Sequence, residues 1–245
     1  MRRKHEFYDL QNFLSLKKYA TLCPDKLLRL TILRTFRDFE RCVAPHMPVM
    51  RSGVRHGDTN LHNFLYSPSQ ERKDSRSSNH CSLEVCKLHS LKDVPDDPPQ
   101  LFGIVDFDEV VHGPYLLDLA CAVEHEIQIT YLSGSCTAEH GVGLEAAIPV
   151  IAGYQKAFPL PEDETGVLYY VVCARMVQIY LGMHLAIQQF CGSHDNGTEQ
   201  GNNGNGILQR YENTKRDTRQ YMDVFFAQNP QTVQKTWEGY KTYSA

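Results

Sequence analysis

The chain has 245 residues and a mass of 28.0 kDa, and its 42% hydrophobic and 22% charged residues are typical of a folded globular protein. A formal net charge of −4 and a pI near 6.2 disfavour a nucleic-acid-binding protein, because such proteins usually present a basic face. No apolar stretch follows the basic residues at the amino terminus, and the eight cysteines are scattered along the chain. Both features predict a cytoplasmic protein with reduced thiols rather than a secreted one.

The first half of the chain predicts one helix followed by a small sheet. Apolar residues recur every three or four positions between Pro24 and Val43, which is the spacing of an amphipathic helix. Residues 53–66 predict two short strands around a polar turn, and the apolar run at 101–105 predicts a third. The polar stretch 67–100 has no periodicity, so we expect a flexible insertion that leaves the flanking strands adjacent.

The second half of the chain is predicted to be helical. The segments with helical patterns are 114–131, 142–157, 163–190, 207–228 and 230–243. The most apolar stretch, 168–190, contains Arg175, Gln178 and His184, which predicts a buried helix and no membrane contact. Residues 191–206 are rich in Gly and Asn and are predicted to form a second flexible insertion. The predicted fold class is therefore α+β and mostly helical, in a single domain over residues 1–245.

Two short motifs carry the chemistry. The first is His56-Gly57-Asp58-Thr59-Asn60-Leu61-His62-Asn63, and the second is Asp106-Phe107-Asp108 at the end of the predicted strand 101–105. Phosphoryl transfer to a hydroxyl needs a carboxylate that orients the attacking group and accepts its proton, and it needs oxygen ligands for Mg²⁺. Asp58, Asn63 and Asp106 supply that set, because one loop presents the base and a ligand while the strand delivers the second ligand.

At these residues the chain resembles the aminoglycoside phosphotransferase and choline kinase superfamily, and within it the hydroxylysine kinases. The likeness continues through Gly113-Pro114-Tyr115-Leu116-Leu117-Asp118-Leu119-Ala120 and reaches the segments around Arg175 and Trp237, so it covers nearly the whole chain. The resemblance implies the carboxyl-terminal lobe of a protein-kinase-like fold. It also implies Mg²⁺ as cofactor, GTP or ATP as phosphate donor, and a small amino-bearing alcohol, 5-hydroxy-L-lysine, as acceptor.

The same resemblance implies roles for individual residues. Asp58 is expected to be the catalytic base, and Asn63 and Asp106 are expected to bind Mg²⁺ and through it the nucleotide. Asp118 is expected to brace the loop by hydrogen bonding. Asp108 is a further candidate metal ligand, with a surface or helix-capping role as the alternative, and His56 is predicted to position the loop backbone.

Simpler explanations apply to some of these residues. Gly, Asp and Asn favour turns, so the first motif is also compatible with a turn that has no chemistry. Asp118 at the start of a helix is compatible with dipole complementarity alone. The glutamates available to an amino substrate are Glu109, Glu124 and Glu126, although glutamates on helix surfaces are usually only solvated. The pairs His80-Cys81 and Cys86-x2-His89 are zinc-ligand types, but they lack a common zinc-finger spacing.

Three functions are consistent with the sequence. No Gly-rich phosphate loop or strand lysine precedes residue 50, and Lys17 and Lys18 fall in a helix-like context, so we expect an amino-terminal lobe to be lacking. The leading hypothesis is a phosphotransferase that acts on a small molecule. The alternatives are a non-catalytic binding lobe and a metal-dependent phosphohydrolase, which would need additional carboxylate or histidine ligands.

Overall fold

A computed structural model describes residues 7–67, 100–134, 143–194 and 203–243. Apart from its two end positions, the predicted insertion at 67–100 lies outside these ranges. The zinc-type residues between 80 and 89 lie outside them as well.

Two segments, residues 52–67 and 100–114, run antiparallel to each other and form two short ladders. The strands are β1 (Ser52–Arg55), β2 (Phe64–Ser67), β3 (Gln100–Ile104) and β4 (Val111–Pro114). β1 pairs with β4 and β2 pairs with β3, so Arg55 lies opposite Val111 and Phe64 lies opposite Ile104. The loop 56–63 therefore faces the loop 105–110 between the two ladders. The predictions of strands within 53–66 and at 101–105 are confirmed.

Helices make up most of the remaining described chain. The α-helices are α1 (Lys26–Cys42), α2 (Leu116–Leu132), α3 (Ala147–Ala157), α4 (Glu162–Thr165), α5 (Leu168–His194), α6 (Asn203–Phe226) and α7 (Pro230–Trp237). Shorter 3-10 helices span Leu61–Asn63, Phe107–Glu109, Leu144–Ala146 and Glu238–Thr242. The mostly helical α+β class is confirmed. Each predicted helical segment is helical over most of its length, but the predicted segment 163–190 is divided into α4 and α5 by a break at residues 166–167.

α1 begins where its sequence provides a cap. The Asp25 side chain accepts a hydrogen bond from the Leu28 backbone N–H at 3.0 Å, which satisfies one of the free donors of the first turn. The buried face of the helix includes Ile32 and Phe36, and Phe36 stacks on Phe13 with ring centroids 4.4 Å apart. The helix predicted between Pro24 and Val43 is confirmed to within two residues at each end.

A 13-residue 3-10 helix, Leu10–Leu22, precedes α1. The sequence indicated a helix-like context only around Lys17 and Lys18 and did not predict the extent or the type of this helix. Its buried side chains include Leu10, Phe13 and Leu16, which are three residues apart. A 3-10 helix has three residues per turn, so this spacing places them on one face. That face packs against α1 and α5.

α5 is the central helix of the hydrophobic core, where it contacts α1, α2, α6 and the 3-10 helix Leu10–Leu22. Within the described chain, Leu168–Cys191 is the one stretch long and apolar enough to cross a membrane, and 61% of its apolar window is buried inside the protein. The prediction of a buried helix at 168–190 is confirmed.

The second predicted insertion, 191–206, is wrong at both of its ends. α5 continues through residue 194 and α6 starts at residue 203, so four residues at each end are helical. Gly and Asn have low helix propensity, but adding a residue to an existing helix is far easier than starting one. The long packed helices therefore extend into the Gly- and Asn-rich stretch. Residues 195–202 lie outside the described ranges.

Candidate active site

Gly57 lies in the loop between β1 and β2, at a position that only glycine fits. Its φ is +85°, in the left-handed region, and a Cβ there would lie 2.2 Å from the backbone oxygen of Glu109. The ring of His56 lies beside that of Phe107, with centroids 5.0 Å apart. The two loops that the ladders place opposite each other are therefore in direct contact.

Asp118, in the first turn of α2, holds the backbone of the same loop. Its carboxylate accepts the N–H groups of His56 at 2.8 Å and of Gly57 at 3.0 Å. Its backbone carbonyl accepts the Thr59 hydroxyl at 2.5 Å. Hydrogen bonds to an ionised acceptor are roughly twice as strong as neutral ones. These contacts go beyond helix-dipole complementarity and hold the loop at three of its residues.

A buried ion-pair chain connects Asp118 to the amino-terminal part of the protein. Arg55 donates through Nη1 to Asp118 at 3.2 Å and through Nη2 to Asp9 at 2.5 Å, and its side chain is only 2% exposed. Gln11 adds a bond from its Nε2 to the carbonyl of His112 at 2.9 Å. The loop and β4 are therefore tied to the first residues of the described chain.

Asp58 is held at both carboxylate oxygens. Oδ1 accepts from Nη2 of Arg175 at 2.8 Å and lies 3.8 Å from Sγ of Cys121. Oδ2 accepts from Nδ2 of Asn60 at 2.7 Å, with Nδ2 of Asn63 at 3.3 Å. The Asp58 side chain is still 26% exposed. The predicted base is thus a carboxylate of fixed orientation that solvent can reach.

Asn63 and Asp106 lie in the two facing loops, which a backbone hydrogen bond joins. Asn63 is buried, its Nδ2 donates to the Asp58 carbonyl at 2.8 Å, and its own carbonyl accepts the Val105 N–H at 2.9 Å. Val105 directly precedes Asp106, which is exposed and has a φ of 65°. Within the described chain, Asp106 is the one non-glycine residue with a positive φ. Such a conformation costs about 1–3 kcal/mol and is concentrated at functional sites.

The oxygen atoms that Asn63 and Asp106 offer are of the type that binds Mg²⁺. Because Nδ2 of Asn63 faces Asp58, the Asn63 amide oxygen is the atom left for a cation, and Asp106 offers an exposed carboxylate. Hard cations take oxygen ligands of these types. Among the residues that the structure describes, no group of three or more His, Cys, Asp or Glu side chains is placed to hold a metal. Asp108 is exposed on the turn after Asp106, and its role as a ligand stays a prediction.

His56 and His125 hold the loop backbone from two sides. Nδ1 of His56 accepts the Asp58 N–H at 3.3 Å while its Nε2 donates to the Val105 carbonyl at 2.9 Å, so both ring nitrogens hold backbone groups. Nδ1 of His125, in α2, accepts the N–H of Leu61 at 2.9 Å. Burial, and secondly the neighbouring His62, lower the pKa of His125 to about 4, so the His125 ring is neutral near pH 7.

Glu124 lies beneath the site and is not a solvated helix-surface residue, which corrects that expectation. It is 1% exposed, and the hydroxyl of Tyr221 donates to its carboxylate. Burial raises the pKa of Glu124 to about 7. Burial also raises the pKa of the Cys121 thiol to about 12, so this thiol stays protonated beside Asp58. Glu109 and Glu126 are partly exposed, and their contact with a substrate stays a prediction.

Arg175 and Arg55 are the main residues of this site that sequence reasoning missed. Both are buried cations, and a buried charge requires a partner. Arg175 carried a visible signal, because it is a single charge within a long apolar stretch. The stretch correctly predicts a buried helix, and the buried charge further predicts an acidic partner. The sequence does not identify Asp58, 117 residues away, as that partner.

Comparison with known proteins places kinases among the relatives of this chain, and each of these relatives is named hydroxylysine kinase. The chain is 25% identical over 190 residues to the protein from Danio rerio, 27% over 181 residues to that from Xenopus laevis and 26% over 176 residues to that from Mus musculus. The alignments cover 77%, 74% and 72% of this chain. They cover 44%, 40% and 39% of the relatives, so the chain spans less than half of their length. No family model matches the chain, and no solved structure matches it.

Proposed function

We propose that this chain carries the catalytic centre of a cytoplasmic phosphotransferase in the carboxyl-terminal lobe of a protein-kinase-like fold. The reaction transfers the γ-phosphate of GTP or ATP to the hydroxyl of a small amino-bearing metabolite. The preferred acceptor is 5-hydroxy-L-lysine, a choice that rests on the names of the relatives and on the sequence resemblance.

One observation carries the proposal. The antiparallel pairing of residues 52–67 with 100–114 puts the loop that carries Asp58 and Asn63 opposite the loop that carries Asp106, and the Val105 N–H donates to the Asn63 carbonyl between them. A phosphotransferase needs a base and oxygen ligands for Mg²⁺ in that relation, and little other covalent chemistry from the protein.

Each residue then has a defined task. Asp58 orients the acceptor hydroxyl and takes its proton as the hydroxyl oxygen bonds to the γ-phosphorus and the nucleoside diphosphate leaves. The Asn63 amide oxygen and the Asp106 carboxylate would hold Mg²⁺, which neutralises charge on the phosphates when bound. Asp118, His56 and His125 keep the loop in place through backbone hydrogen bonds.

The direct test is transfer of phosphate to 5-hydroxy-L-lysine with Mg²⁺ and either GTP or ATP. We expect Asp58→Asn to lower kcat by at least about 100-fold, in the range found for general bases. Asp106→Asn is expected to raise the Mg²⁺ concentration needed for half-maximal rate. Asp217→Asn, which removes a carboxylate from a surface ion pair on α6, is the matched control and should retain wild-type turnover. An Asp58→Asn enzyme within a few-fold of wild type would show that Asp58 is not the base.

A second candidate is a binding lobe that holds Mg²⁺ and nucleotide without transferring phosphate. The observation in its favour is that both oxygens of Asp58 are already engaged, by Arg175 and by Asn60. This candidate predicts a thermal shift with Mg²⁺-nucleotide and no turnover. A ligand at 100 times its Kd stabilises the folded state by about 2.7 kcal/mol, which a melting experiment detects easily. Release of free phosphate without an acceptor would instead indicate the phosphohydrolase alternative.

A further inference from the structure

Arg175 brings a positive charge from the interior of α5 to the carboxylate of Asp58. Its Nη2 lies 2.8 Å from Oδ1 of Asp58, and the Arg175 side chain is 8% exposed. Burial opposes the charge, but nearby acidic groups, among them Asp58 and Glu124, outweigh it and raise the pKa of Arg175. The guanidinium therefore stays charged although it lies inside the protein.

The guanidinium of Arg175 is itself fixed from a second direction. Its Nη1 donates to Oε1 of Gln178 at 2.9 Å, and Gln178 is fully buried one turn further along α5. Nε2 of Gln178 donates in turn to the backbone carbonyl of Phe7 at 2.8 Å. A guanidinium is planar and rigid, so two bonds on its two terminal nitrogens set its plane. Arg175 thus has little freedom to follow Asp58 if that carboxylate turns.

Stability is a poor explanation for this pair. A buried ion pair often contributes no more to folding than apolar residues of the same volume, because both charges lose their hydration. Orientation is the better explanation, since the terminal torsion of an aspartate is broad unless partners restrain it. Arg175 restrains Oδ1 of Asp58 and Asn60 restrains Oδ2. The carboxylate plane is therefore set before a substrate arrives, which is the preorganisation that catalysis needs.

We propose that Arg175 is the positioning residue of Asp58, which holds one carboxylate oxygen so that the other is presented to the acceptor hydroxyl. The proposal rests on the proposed function in one respect, namely that Asp58 is the base. Gln178 acts one step further back, because it holds Arg175 and not Asp58.

The first test measures the orientation of Asp58 without requiring turnover. The side-chain amides of Asn60 and Asn63 point at Asp58, so their NMR order parameters in ¹⁵N-labelled protein report whether that carboxylate is fixed. In Arg175→Met we expect both order parameters to fall towards the flexible range, below about 0.6, while the side-chain amide of Asn229 stays unchanged. Arg175→Lys keeps the positive charge but lacks the forked guanidinium, so we expect both order parameters to fall less than in Arg175→Met. It also serves as the test variant if Arg175→Met does not fold.

Unchanged order parameters for Asn60 and Asn63 in a folded Arg175 variant would overturn the proposal. Arg219→Met is the matched control, because Arg219 pairs with Asp25 and Asp223 away from the site. It should leave both asparagine signals at their wild-type values.

The second test separates positioning from binding in the kinetics. We expect Arg175→Met to lower kcat by about 10- to 100-fold with KM for both substrates within twofold of wild type, because a misplaced base slows the chemical step. Arg175→Met combined with Asp58→Asn should be no slower than Asp58→Asn alone. A raised KM at unchanged kcat would refute positioning and indicate a binding role. If the wild-type chain transfers no phosphate, the proposed function fails for this chain, and the NMR test still decides whether Arg175 fixes Asp58.

Discussion

Asp118 binds the loop in which Asp58 lies, and the surroundings of the two carboxylates suit the different tasks that we propose for them. The Asp118 side chain is 13% exposed, and its oxygens are used by Arg55 and by two backbone N–H groups. The Asp58 side chain is 26% exposed, and its Oδ2 accepts from Asn60, a partly exposed side chain that can move when a substrate binds while Arg175 keeps hold of Oδ1. A carboxylate that exchanges a proton with substrate needs this access, whereas a brace does not. The two aspartates carry the same carboxylate group, but their burial and their hydrogen-bond partners differ.

Gly57 is the residue where a single added methyl group should do the most damage to the loop. In Gly57→Ala the new Cβ would meet the Glu109 carbonyl at 2.2 Å in addition to the strain of φ +85°. Gly134 is a matched control, because its φ is +69° while nothing in the described structure lies within 4 Å of an added Cβ. We expect Gly134→Ala to lower the free energy of unfolding by about 1 kcal/mol and Gly57→Ala to lower it by about 3 kcal/mol or more, as measured by urea unfolding. Equal losses of unfolding free energy in the two variants would show that the loop 105–110 moves away from the added Cβ without cost.

At the scale of elements, one face of α2 contacts the loop 56–63 along its length. Asp118, Cys121 and His125 are spaced by three and four residues, so they lie on the same side of the helix. They contact the loop in order: Asp118 binds its first residues, Cys121 lies against Asp58, and His125 binds Leu61. A rigid helix thus fixes the start, middle and end of a loop that has little regular structure of its own.

The pH dependence of stability tests the contact between His125 and the Leu61 N–H. The folded pKa of His125 is about 4 against an ordinary value of 6.5, so between these values the unfolded chain binds more protons. Stability therefore falls as the pH drops through this range, and His125 should account for about 2 kcal/mol of loss between pH 7 and pH 5. His125→Gln keeps an acceptor for the Leu61 N–H but cannot titrate, so this part of the loss should vanish.

Urea unfolding of both proteins at pH 7 and pH 5 provides the measurement. His184 and Glu124 also have shifted pKa values, but they are present in both proteins, so subtraction isolates His125. Asp58, Arg175 and His62 are the charged or titratable neighbours of His125, and they too are common to both. The same pH 5 to pH 7 difference in both proteins would contradict the neutral, buried assignment of His125.

At the scale of the whole molecule, local spacing predicts the elements but not how they meet. The periodicity of residues 24–43 and the apolar character of 168–190 were sufficient to predict α1 and α5. The motif around Asp58 and the strand that leads to Asp106 predicted that a second chain segment delivers Asp106 to the loop that carries Asp58 and Asn63. The contact between Asp58 and Arg175 was not predictable, because it depends on the packing of α5 beneath the loop. The extent of the 3-10 helix Leu10–Leu22 was not predicted, because its period of three differs from that of an α-helix.

Because α5 contacts most of the other helices, we expect the described chain to unfold as one cooperative unit. The chain has a single tryptophan, Trp237, which is 2% exposed and donates from Nε1 to the Leu144 carbonyl at 3.2 Å. Its fluorescence reports the carboxyl-terminal helices, while far-UV circular dichroism reports all helices together. The two probes should give coincident urea transitions.

The same Leu→Ala substitution at a buried and at an exposed position tests this cooperativity. Leu181, in α5, is fully buried, whereas Leu132, at the end of α2, is 45% exposed. Leu181→Ala should lower the free energy of unfolding by about 2–5 kcal/mol, because it leaves a cavity in the core. Leu132→Ala should change it by no more than about 0.5–1 kcal/mol. Leu181 and Trp237 belong to the same core cluster, so the Leu181→Ala midpoint should move equally for fluorescence and circular dichroism. A Trp237 transition that stays at its wild-type midpoint in Leu181→Ala would show that the carboxyl-terminal helices unfold independently of α5.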